Sequence, residues 1–313
     1  MRIVGVTSFG GPEALQVLEV PEPHPGPGEV RVRVHAATVN ATDVGLRQGH
    51  QGYPLPARAE PYVPGMEAAG VISEVSPDSG WQVGDRVIAV VVAAGPHGGA
   101  YADELVVDAR SVVRMPADTD FAAAATLPMN GLTARGALDL LGLPAGSTIA
   151  VTGAAGAVGG YAVQLAKADG LHVIADAAEA DEDLVRGLGA DRLVRRGEGA
   201  ADRIRALAPD GVDGVIDAAL LNQAVVPAIR DNGALAVFRG WDGEPGRGIT
   251  VGKVFVHDQV TDTAALDKLR QQAEDGALTL RVARILPAEQ AAEAHRLLEA
   301  GGQRGRIVLD FSN

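Results

Sequence analysis

The sequence predicts an α/β protein with two domains, one rich in β-strands and one built on a doubly wound parallel sheet. Short strands broken by proline and glycine fill the first third of the chain, and strands alternate with helices in the middle. A length of 313 residues is also more than one ordinary core requires. Hydrophobic residues make up 47% and charged residues 21%, which is typical of a globular protein.

The first 118 residues are predicted to form the β domain. After LQVLEV and a turn-rich segment, the alternating stretch VRVRVHAATV is typical of a half-buried strand. AAGVISEV, DRVIAVVVAA and YADELVVDA continue this pattern. Strands this closely spaced, without helices between them, favour a partly antiparallel sheet.

The pattern changes near Asp118. The stretch TDFAAAATLPMNGLTARGALDLLG predicts helix, with Asp118 or Thr119 as N-cap and Gly142 as C-cap. Strands and helices then alternate from STIAVTG onwards, and the apolar, β-branched strands indicate a sheet buried on both faces. This second domain is placed at residues 119–252.

Residues 253–313 are expected to return to the β domain and complete it. The segment contains a strand, the helix TAALDKLRQQAEDG, LRVARILP, the helix AEQAAEAHRLLEAGG and a final strand, GRIVLDF.

Composition and charge exclude several functional classes. A net charge of −13 and a pI near 4.9 argue against nucleic-acid binding. The absence of cysteine excludes disulfides and thiolate-bound zinc. No apolar run approaches the roughly twenty residues of a membrane span, and the start MRIVGVTSFGG lacks the pattern of a signal peptide. We therefore expect a cytoplasmic protein that binds no membrane.

A glycine-rich turn joins the strand STIAVTG to the helix VGGYAVQLAKADG. Against the pattern G-x-G-x-x-G the chain has alanine first, then Gly156, where the backbone would approach a pyrophosphate, and Gly159, where the helix packs on the strand. Any tight turn from strand to helix favours glycine, but the surrounding βαβ array favours dinucleotide binding. The candidate cofactor-binding residues of this turn are Gly153, Ala155, Gly156, Ala157 and Val158.

The next strand ends near Asp176, a little over twenty residues after Gly153, where a ribose-binding acid is expected. A carboxylate there accepts hydrogen bonds from the ribose hydroxyls and repels a 2′-phosphate. Four acids within residues 179–183 are assigned only to the N-terminus of the next helix. Asp176 therefore predicts that NAD(H) is favoured over NADP(H).

The chain resembles the zinc-free quinone oxidoreductase branch of the medium-chain dehydrogenase/reductase family. The matching stretches occur in family order and cover nearly the whole chain; they include GGPEALQVLEVPEPHPGPGEVRVRVHAATVNATDVGLRQG, YVPGMEAAGVI, VGDRVIAV, GAYADELVV, AAATLPMNGLTARGAL, VTGAAGAVGGYAVQLAKADG, LGAD and GRIVLDF. The resemblance implies a GroES-like β domain, a Rossmann domain and an active site in the cleft. It also implies a homodimer formed through an edge of the Rossmann sheet.

Zinc-dependent members of the family use a Cys in the segment that corresponds to VNATD and a Gly-His-Glu in the one that corresponds to PGMEAAG. This chain has Asn40 in a segment without Cys, and Met66 before Glu67. A thioether is a poor replacement for imidazole on zinc, and one Glu does not make a catalytic site. No metal is therefore expected, and Glu67 is interpreted as a structural carboxylate.

Without zinc, another group must stabilise the charge that develops on the substrate oxygen during hydride transfer. The resemblance makes Asn40 and Tyr53 the catalytic candidates, because each carries an N–H or O–H that can donate to an oxygen. Capping of the following helix is an equal alternative for Asn40, and packing is an equal alternative for Tyr53. Asp43 is interpreted as a cap of that helix or a partner of Arg47.

The loop after the strand GVDGVIDAA departs from the family. A usual pair of glycines is replaced by Ala219-Leu220-Leu221, near where the family holds the nicotinamide ribose. By resemblance, the cofactor candidates outside the glycine turn are Thr133, Ala218 and Gly240.

The leading hypothesis is a zinc-independent NAD(P)H-dependent oxidoreductase that reduces the activated double bond of a small molecule, such as a quinone or an enone. One alternative is a stand-alone enoyl thioester reductase of a biosynthetic pathway. A second is a dinucleotide-binding protein with little catalysis, which the lack of an unmistakable proton donor favours.

Overall fold

The computed structural model describes residues 1–49 and 61–312. These form two compact units. The first unit comprises Met1–Met129, His257–Glu274 and Leu280–Asn313, and the second comprises Asn130–Val256 and Asp275–Thr279. The sequence predicts domain boundaries at residues 118 and 252. These boundaries differ from the limits of the two units and stay a prediction.

The first part of the chain supplies most of the strands of the first unit. In order these elements are β1 (Arg2–Gly5), β2 (Gln16–Glu19), β3 (Glu29–Thr38), α1 (Ala41–Gln48), β4 (Glu67–Val75), β5 (Arg86–Val90), β6 (Glu104–Asp108), β7 (Val112–Arg114) and α2 (Phe121–Ala124).

The middle of the chain alternates strands and helices, as its periodicity predicts. The elements are α3 (Pro128–Leu141), β8 (Thr148–Thr152), α4 (Ala157–Ala168), β9 (His172–Ala177), α5 (Glu182–Gly187), β10 (Arg192–Arg195), α6 (Ala200–Leu207), β11 (Val212–Asp217), β12 (Ile229–Val237) and β13 (Thr250–Lys253). After them come α7 (Thr263–Glu274), β14 (Val282–Pro287), α8 (Ala291–Ala300) and β15 (Arg306–Asp310).

The main sheet of the first unit has the order β14-β15-β3-β4-β5-β7, and β6 also pairs with β3. Every pairing is antiparallel except that of β14 with β15. The C-terminal strand β15 lies directly beside β3, so the two ends of the chain share one sheet. The alternation in VRVRVHAATV corresponds to buried Val30, Val32 and Val34 on one face of β3.

The second unit contains a parallel sheet of order β10-β9-β8-β11-β12-β13. The central strand β8 is buried along Ile149, Ala150 and Val151, which explains why its sequence is apolar without alternation. The carboxyl ends of β8, β9 and β11 therefore lie along one edge of the sheet, where doubly wound folds bind their ligands. The predicted fold class, a GroES-like β domain with a Rossmann domain, is confirmed.

The helical segment after β7 differs from the prediction at its start. Asp120, and neither Asp118 nor Thr119, is the N-cap of α2, because its side chain accepts a hydrogen bond from an N–H of the first turn at 2.7 Å. The segment also divides into two helices at Pro128, since the residue before a proline disfavours helical backbone. Gly142, with φ +59°, ends α3 as predicted.

In the part of the chain that the structure describes, no helix is long and apolar enough to cross a membrane.

Candidate functional site

The turn between β8 and α4 requires glycine at two places for different reasons. Gly153 has φ +65°, and a Cβ there would lie 3.0 Å from backbone atoms of Ala218 and Ala219. A Cβ on Gly159 would lie 2.3 Å from the carbonyl oxygen of Gly153, so only glycine lets α4 pack this closely on the turn. Gly156 is the N-cap of α4 and has no side-chain cap.

The first N–H groups of α4 point out of its N-terminus without intrahelical acceptors. Within the described residues, no capping side chain accepts a hydrogen bond from the N–H of Ala157 or Val158. The helix has twelve residues, so its dipole adds to the attraction of these groups for an anion. Ala155 is buried at the base of the turn. The arrangement can hold a pyrophosphate.

Asp176 lies one residue before the end of β9 and is 4% exposed. Its Oδ1 accepts hydrogen bonds from the N–H of Gly153 at 2.7 Å and of Ala154 at 3.3 Å. Burial raises the pKa of Asp176, and these two N–H groups oppose that shift. The carboxylate therefore stabilises the glycine turn, and its second oxygen, Oδ2, makes no hydrogen bond within the described residues.

The loop after β11 is held by the buried carboxylate of Asp217. Its oxygens accept from the Thr152 hydroxyl at 2.6 Å and from the N–H groups of Leu221 and Asn222 at 3.0 and 2.7 Å. Leu220 and Asn222 have φ of +57° and +52°, a left-handed conformation that costs a non-glycine residue roughly 1 kcal/mol. The loop thus keeps a glycine-like backbone without glycine.

The remaining cofactor candidates differ in their surroundings. Thr133 is buried in α3, and Ala218 is half-buried directly after β11. Gly240 is exposed in the loop after β12, where a Cβ would meet open space. The loops at the carboxyl ends of β8, β9, β11 and β12 therefore carry the glycine turn, Asp176, Ala218 and Gly240, while Thr133 lies on α3.

In the first unit, four polar side chains meet at a buried carboxylate. We call this the Glu67 cluster; it consists of Thr38, Asn40, Glu67 and Arg306, each less than a tenth exposed. Arg306 Nη2 lies 2.8 Å from Glu67 Oε1 and 2.6 Å from both Thr38 Oγ1 and Asn40 Oδ1. Asn40 Nδ2 donates to Glu67 Oε1 at 3.2 Å, and the Thr38 hydroxyl donates to the same oxygen through a short hydrogen bond.

The other oxygen of Glu67, Oε2, accepts from the N–H of Met129 in the first turn of α3 at 2.7 Å. Both oxygens of the carboxylate are therefore satisfied, as a fully buried anion requires. On Arg306, Nε is buried without a hydrogen-bond partner. The side-chain amide of Asn40 is fully engaged with its neighbours in the cluster.

The residues of this region do not fit a zinc ion. An amide and a thioether, on Asn40 and Met66, are poor zinc ligands, and the guanidinium of Arg306 already binds Glu67 at 2.8 Å. A cation would have to displace another cation from a carboxylate whose two oxygens are both occupied. Among residues 1–49 and 61–312, no group of three or more His, Asp or Glu side chains is placed to hold a metal ion.

A second buried network starts at Asp43 and ends at the surface. Asp43 accepts from the N–H of Asn40 at 2.7 Å and of Gly65 at 2.9 Å, so it caps α1 and holds the segment before β4. The Tyr101 hydroxyl lies 3.2 Å from Asp43 Oδ2 and 3.2 Å from Nε2 of His295.

Arg47 is fully buried and connects this network to Glu299 at the surface. Its Nη1 lies 3.5 Å from Nδ1 of His295, and its Nη2 donates to Glu299 at 2.7 Å, so its partner is Glu299 and not Asp43. Because a guanidinium cannot accept, Nδ1 of His295 must accept and Nε2 must carry the hydrogen. His295 then donates to Tyr101 and Tyr101 donates to Asp43, with every hydrogen bond directed towards the carboxylate.

Burial moves the two titrating groups of this network in opposite directions. It raises the pKa of Asp43 to about 7, although the N–H groups of Asn40 and Gly65 oppose the shift. It lowers the pKa of His295 to about 4, and the nearby charge of Arg47 adds to that effect.

Sequence reasoning missed Arg306 and the network of Tyr101 and His295. The available signal for Arg306 was one arginine at the start of the apolar strand GRIVLDF, and such a residue is usually solvated. Tyr53, the second catalytic candidate, lies outside the described residues and stays a prediction.

Two family models match the chain. The model described as "Alcohol dehydrogenase GroES-like domain" matches residues 26–117, and the model described as "Zinc-binding dehydrogenase" matches residues 188–309. A quinone-oxidoreductase homolog from Spinacia oleracea, named as chloroplastic, is 37% identical over 192 residues, which are 59% of this chain and 57% of the relative. The matched region thus spans little more than half the length of that relative.

Solved structures match over nearly the whole chain. A structure of an NAD-dependent alcohol dehydrogenase has a TM-score of 0.87 and 30% identity, with 99% of each chain covered. A mycobacterial protein solved in complex with NADPH has a TM-score of 0.86 and 28% identity, covering 99% of this chain and 100% of the other.

Removing the guanidinium of Arg306 should lower the stability of the protein, because the carboxylate of Glu67 is buried. We expect Arg306→Met to lower the free energy of unfolding by about 3 kcal/mol, because Glu67 is left without its cation. Glu67→Leu combined with Arg306→Met should cost about 2 kcal/mol less than the sum of the single variants in urea unfolding. Arg304→Met on the surface is the control, with a change within about 0.5 kcal/mol. Additive single and double variants would contradict the pairing.

His295 should make stability depend on pH in a defined window. Its folded pKa of about 4 lies below the ordinary 6.5, so its contribution is present above pH 6.5 and is lost as the pH falls towards 4. We expect His295→Gln to cost about 2 kcal/mol more at pH 7 than at pH 5, measured by urea unfolding. An equal cost at both pH values would show that the buried imidazole does not resist protonation.

Proposed function

The chain belongs to the medium-chain dehydrogenase/reductase superfamily and is quinone oxidoreductase-like, and we propose that it is a zinc-independent NAD(P)H-dependent oxidoreductase. Its proposed substrate is a small molecule with an activated double bond, such as a quinone or an enone. The observation that carries the proposal is the turn between β8 and α4, which presents N–H groups at a helix N-terminus beside a buried strand-end carboxylate. This combination suits a dinucleotide.

The proposed binding mode follows from the second unit alone. Bound NADH or NADPH would supply a hydride to the substrate. The N–H groups of Ala157 and Val158 face the pyrophosphate, with Gly153, Ala155 and Gly156 shaping the turn. Oδ2 of Asp176 accepts a hydrogen bond from a ribose hydroxyl, which favours NADH. Thr133, Ala218 and Gly240 are proposed to contact the nicotinamide half.

Zinc independence is proposed from the Glu67 cluster. Its carboxylate is neutralised by Arg306 and its oxygens are saturated, so these side chains are not available to a metal. We propose that Asn40 acts by positioning this cluster, because its amide already donates to Glu67 and accepts from Arg306. Tyr53 remains the proposed donor to the substrate oxygen.

The substrate class is supported by the family resemblance and by the name of the spinach relative, a quinone-oxidoreductase homolog.

We also propose that the protein forms a homodimer through β13, an edge strand of the parallel sheet next to exposed Leu140 and Phe255. Sedimentation velocity can test this oligomeric state. Cytoplasmic localisation is likewise a proposal, tested by fractionation of the source cells.

Turnover with a panel of electrophilic alkenes tests the function. We expect purified protein to oxidise NADH in the presence of a quinone or an enone, and to prefer these over saturated ketones and aldehydes. Enoyl thioesters belong in the panel as the alternative substrate class. Oxidation of NADH is followed by its loss of absorbance, with Gly159→Ala as a control whose turn cannot close. Tight binding of NADH without turnover of any acceptor would instead indicate a dinucleotide-binding protein.

A further inference from the structure

Two of the buried carboxylates in the first unit, Glu67 and Asp43, differ in how their charge is balanced. Glu67 is paired with a guanidinium at 2.8 Å, whereas Asp43, which is 1% exposed, makes no ion pair within the described part of the chain. Asp43 is held only by neutral donors, which are the N–H groups of Asn40 and Gly65 and the hydroxyl of Tyr101. A buried carboxylate without a cation takes up a proton more readily than one that is paired.

A proton on Asp43 needs a hydrogen-bond acceptor, because the hydroxyl of a buried carboxylic acid must donate. Two of the three groups that contact this carboxylate are backbone N–H groups, which cannot accept. The third is the hydroxyl oxygen of Tyr101, which accepts only if its own hydrogen turns towards Nε2 of His295, 3.2 Å away. His295 would then have to carry its hydrogen on Nδ1.

Arg47 opposes this reversal of the chain of hydrogen bonds. Its Nη1 lies 3.5 Å from Nδ1 of His295, so a hydrogen on Nδ1 would face an N–H of the guanidinium. Arg47 is also fixed in place, because it is fully buried and its Nη2 donates to Glu299 at 2.7 Å. The network therefore accommodates an ionised Asp43, and a proton on that carboxylate must break one of its hydrogen bonds.

The hydrogen bonds of Asp43 hold the two segments that carry the Glu67 cluster. Oδ2 accepts from the N–H of Asn40 at 2.7 Å, and the side-chain amide of the same residue donates to Glu67 at 3.2 Å. Oδ1 accepts from the N–H of Gly65 at 2.9 Å, two residues before Glu67. Loss of either bond would release a segment that positions Asn40 or Glu67.

The other charged groups of this region largely cancel one another at neutral pH. Glu67 is paired with Arg306, and Glu299 is paired with Arg47. Burial lowers the pKa of His295 to about 4, so its ring is neutral. Burial raises the pKa of Asp43 to about 7, and the charge of Arg306 opposes that shift only in part. The charged and titratable groups around Asp43 and its network are Arg47 on α1, Glu67 on β4, Arg306 on β15, His295 and Glu299 on α8, and Tyr101 before β6.

We propose that Asp43 is a positioning residue whose ionised form is required for turnover, and that Tyr101, His295 and Arg47 keep it ionised. The inference rests on the proposed oxidoreductase function. Because both oxygens of Asp43 are engaged within the protein, the carboxylate acts through Asn40 and the segment before Glu67, and not on the substrate.

The pH dependence of NADH oxidation, with a quinone or an enone as acceptor, tests this assignment. We expect kcat of the wild type to fall below a midpoint near pH 7, with the uptake of one proton. Tyr101→Phe removes one donor to the carboxylate and should raise this midpoint by about one pH unit, since a hydrogen bond to the charged form favours it. A purely structural role of Tyr101 would lower kcat at every pH and leave the midpoint in place.

Tyr62→Phe is the matched control for this substitution. Tyr62 lies in the same unit, and its ring stacks on Phe9 with the ring centres 5.3 Å apart, away from the network of Asp43. The midpoint of the control should stay within about 0.3 pH units of the wild type. The Kd for NADH should change by less than about twofold in both tyrosine variants, because the proposed dinucleotide site lies in the second unit.

Asp43→Asn and infrared spectroscopy separate the ionisation of this residue from its effect on turnover. The neutral amide should give a low kcat that is constant between about pH 6 and 8. In the wild type, the C=O band of a protonated carboxyl should appear as the pH falls through 7, and this band should be missing from Asp43→Asn.

Two results would overturn the assignment while leaving the proposed function intact. One is a midpoint that Tyr101→Phe does not move, and this result is accessible even where Asp43→Asn does not fold. The other is a carboxyl band that titrates near pH 7 while kcat of the wild type stays constant. Absence of turnover at every pH, in the wild type and with every acceptor, would overturn the proposed function itself.

Discussion

The buried ion pair between Glu67 and Arg306 is the interaction on which the architecture of the first unit depends. Its partners come from the end of β3, the residue before α1, the start of β4, the first turn of α3 and the start of β15. A buried carboxylate is stable only where its charge and its lone pairs are satisfied. Glu67 therefore requires those five segments to meet, and the C-terminal strand must return to the sheet to supply the cation.

The network that begins at Asp43 also holds separate segments of the first unit together, and it reaches the surface at Glu299. Asp43 links the start of α1 to the backbone of Gly65, just before Glu67, and its own position is held by Tyr101. Since burial favours neutral His295 and also favours protonated Asp43, the two groups respond to pH with opposite signs. Their contributions to stability oppose each other between about pH 4 and 6.5, the range in which both groups titrate.

Local patterns predicted the fold because periodicity and turns depend on neighbouring residues. The βαβ array, the glycine turn and the cap at Gly142 follow from sequence in this way. The Glu67 cluster did not, because Arg306 stands 239 residues from Glu67 and only the sheet brings them together. Local sequence likewise assigned the cap of α2 to the wrong residue near Asp118.

We propose that the protein acts without zinc, because the buried carboxylate of Glu67 is paired with Arg306 and both of its oxygens accept hydrogen bonds. Zinc content together with NADH-dependent turnover, measured before and after treatment with a strong chelator, tests it most directly. We expect far less than one zinc per chain, an unchanged rate after chelation and no gain on adding zinc. About one zinc per chain, with activity lost on chelation and restored by zinc, would contradict it.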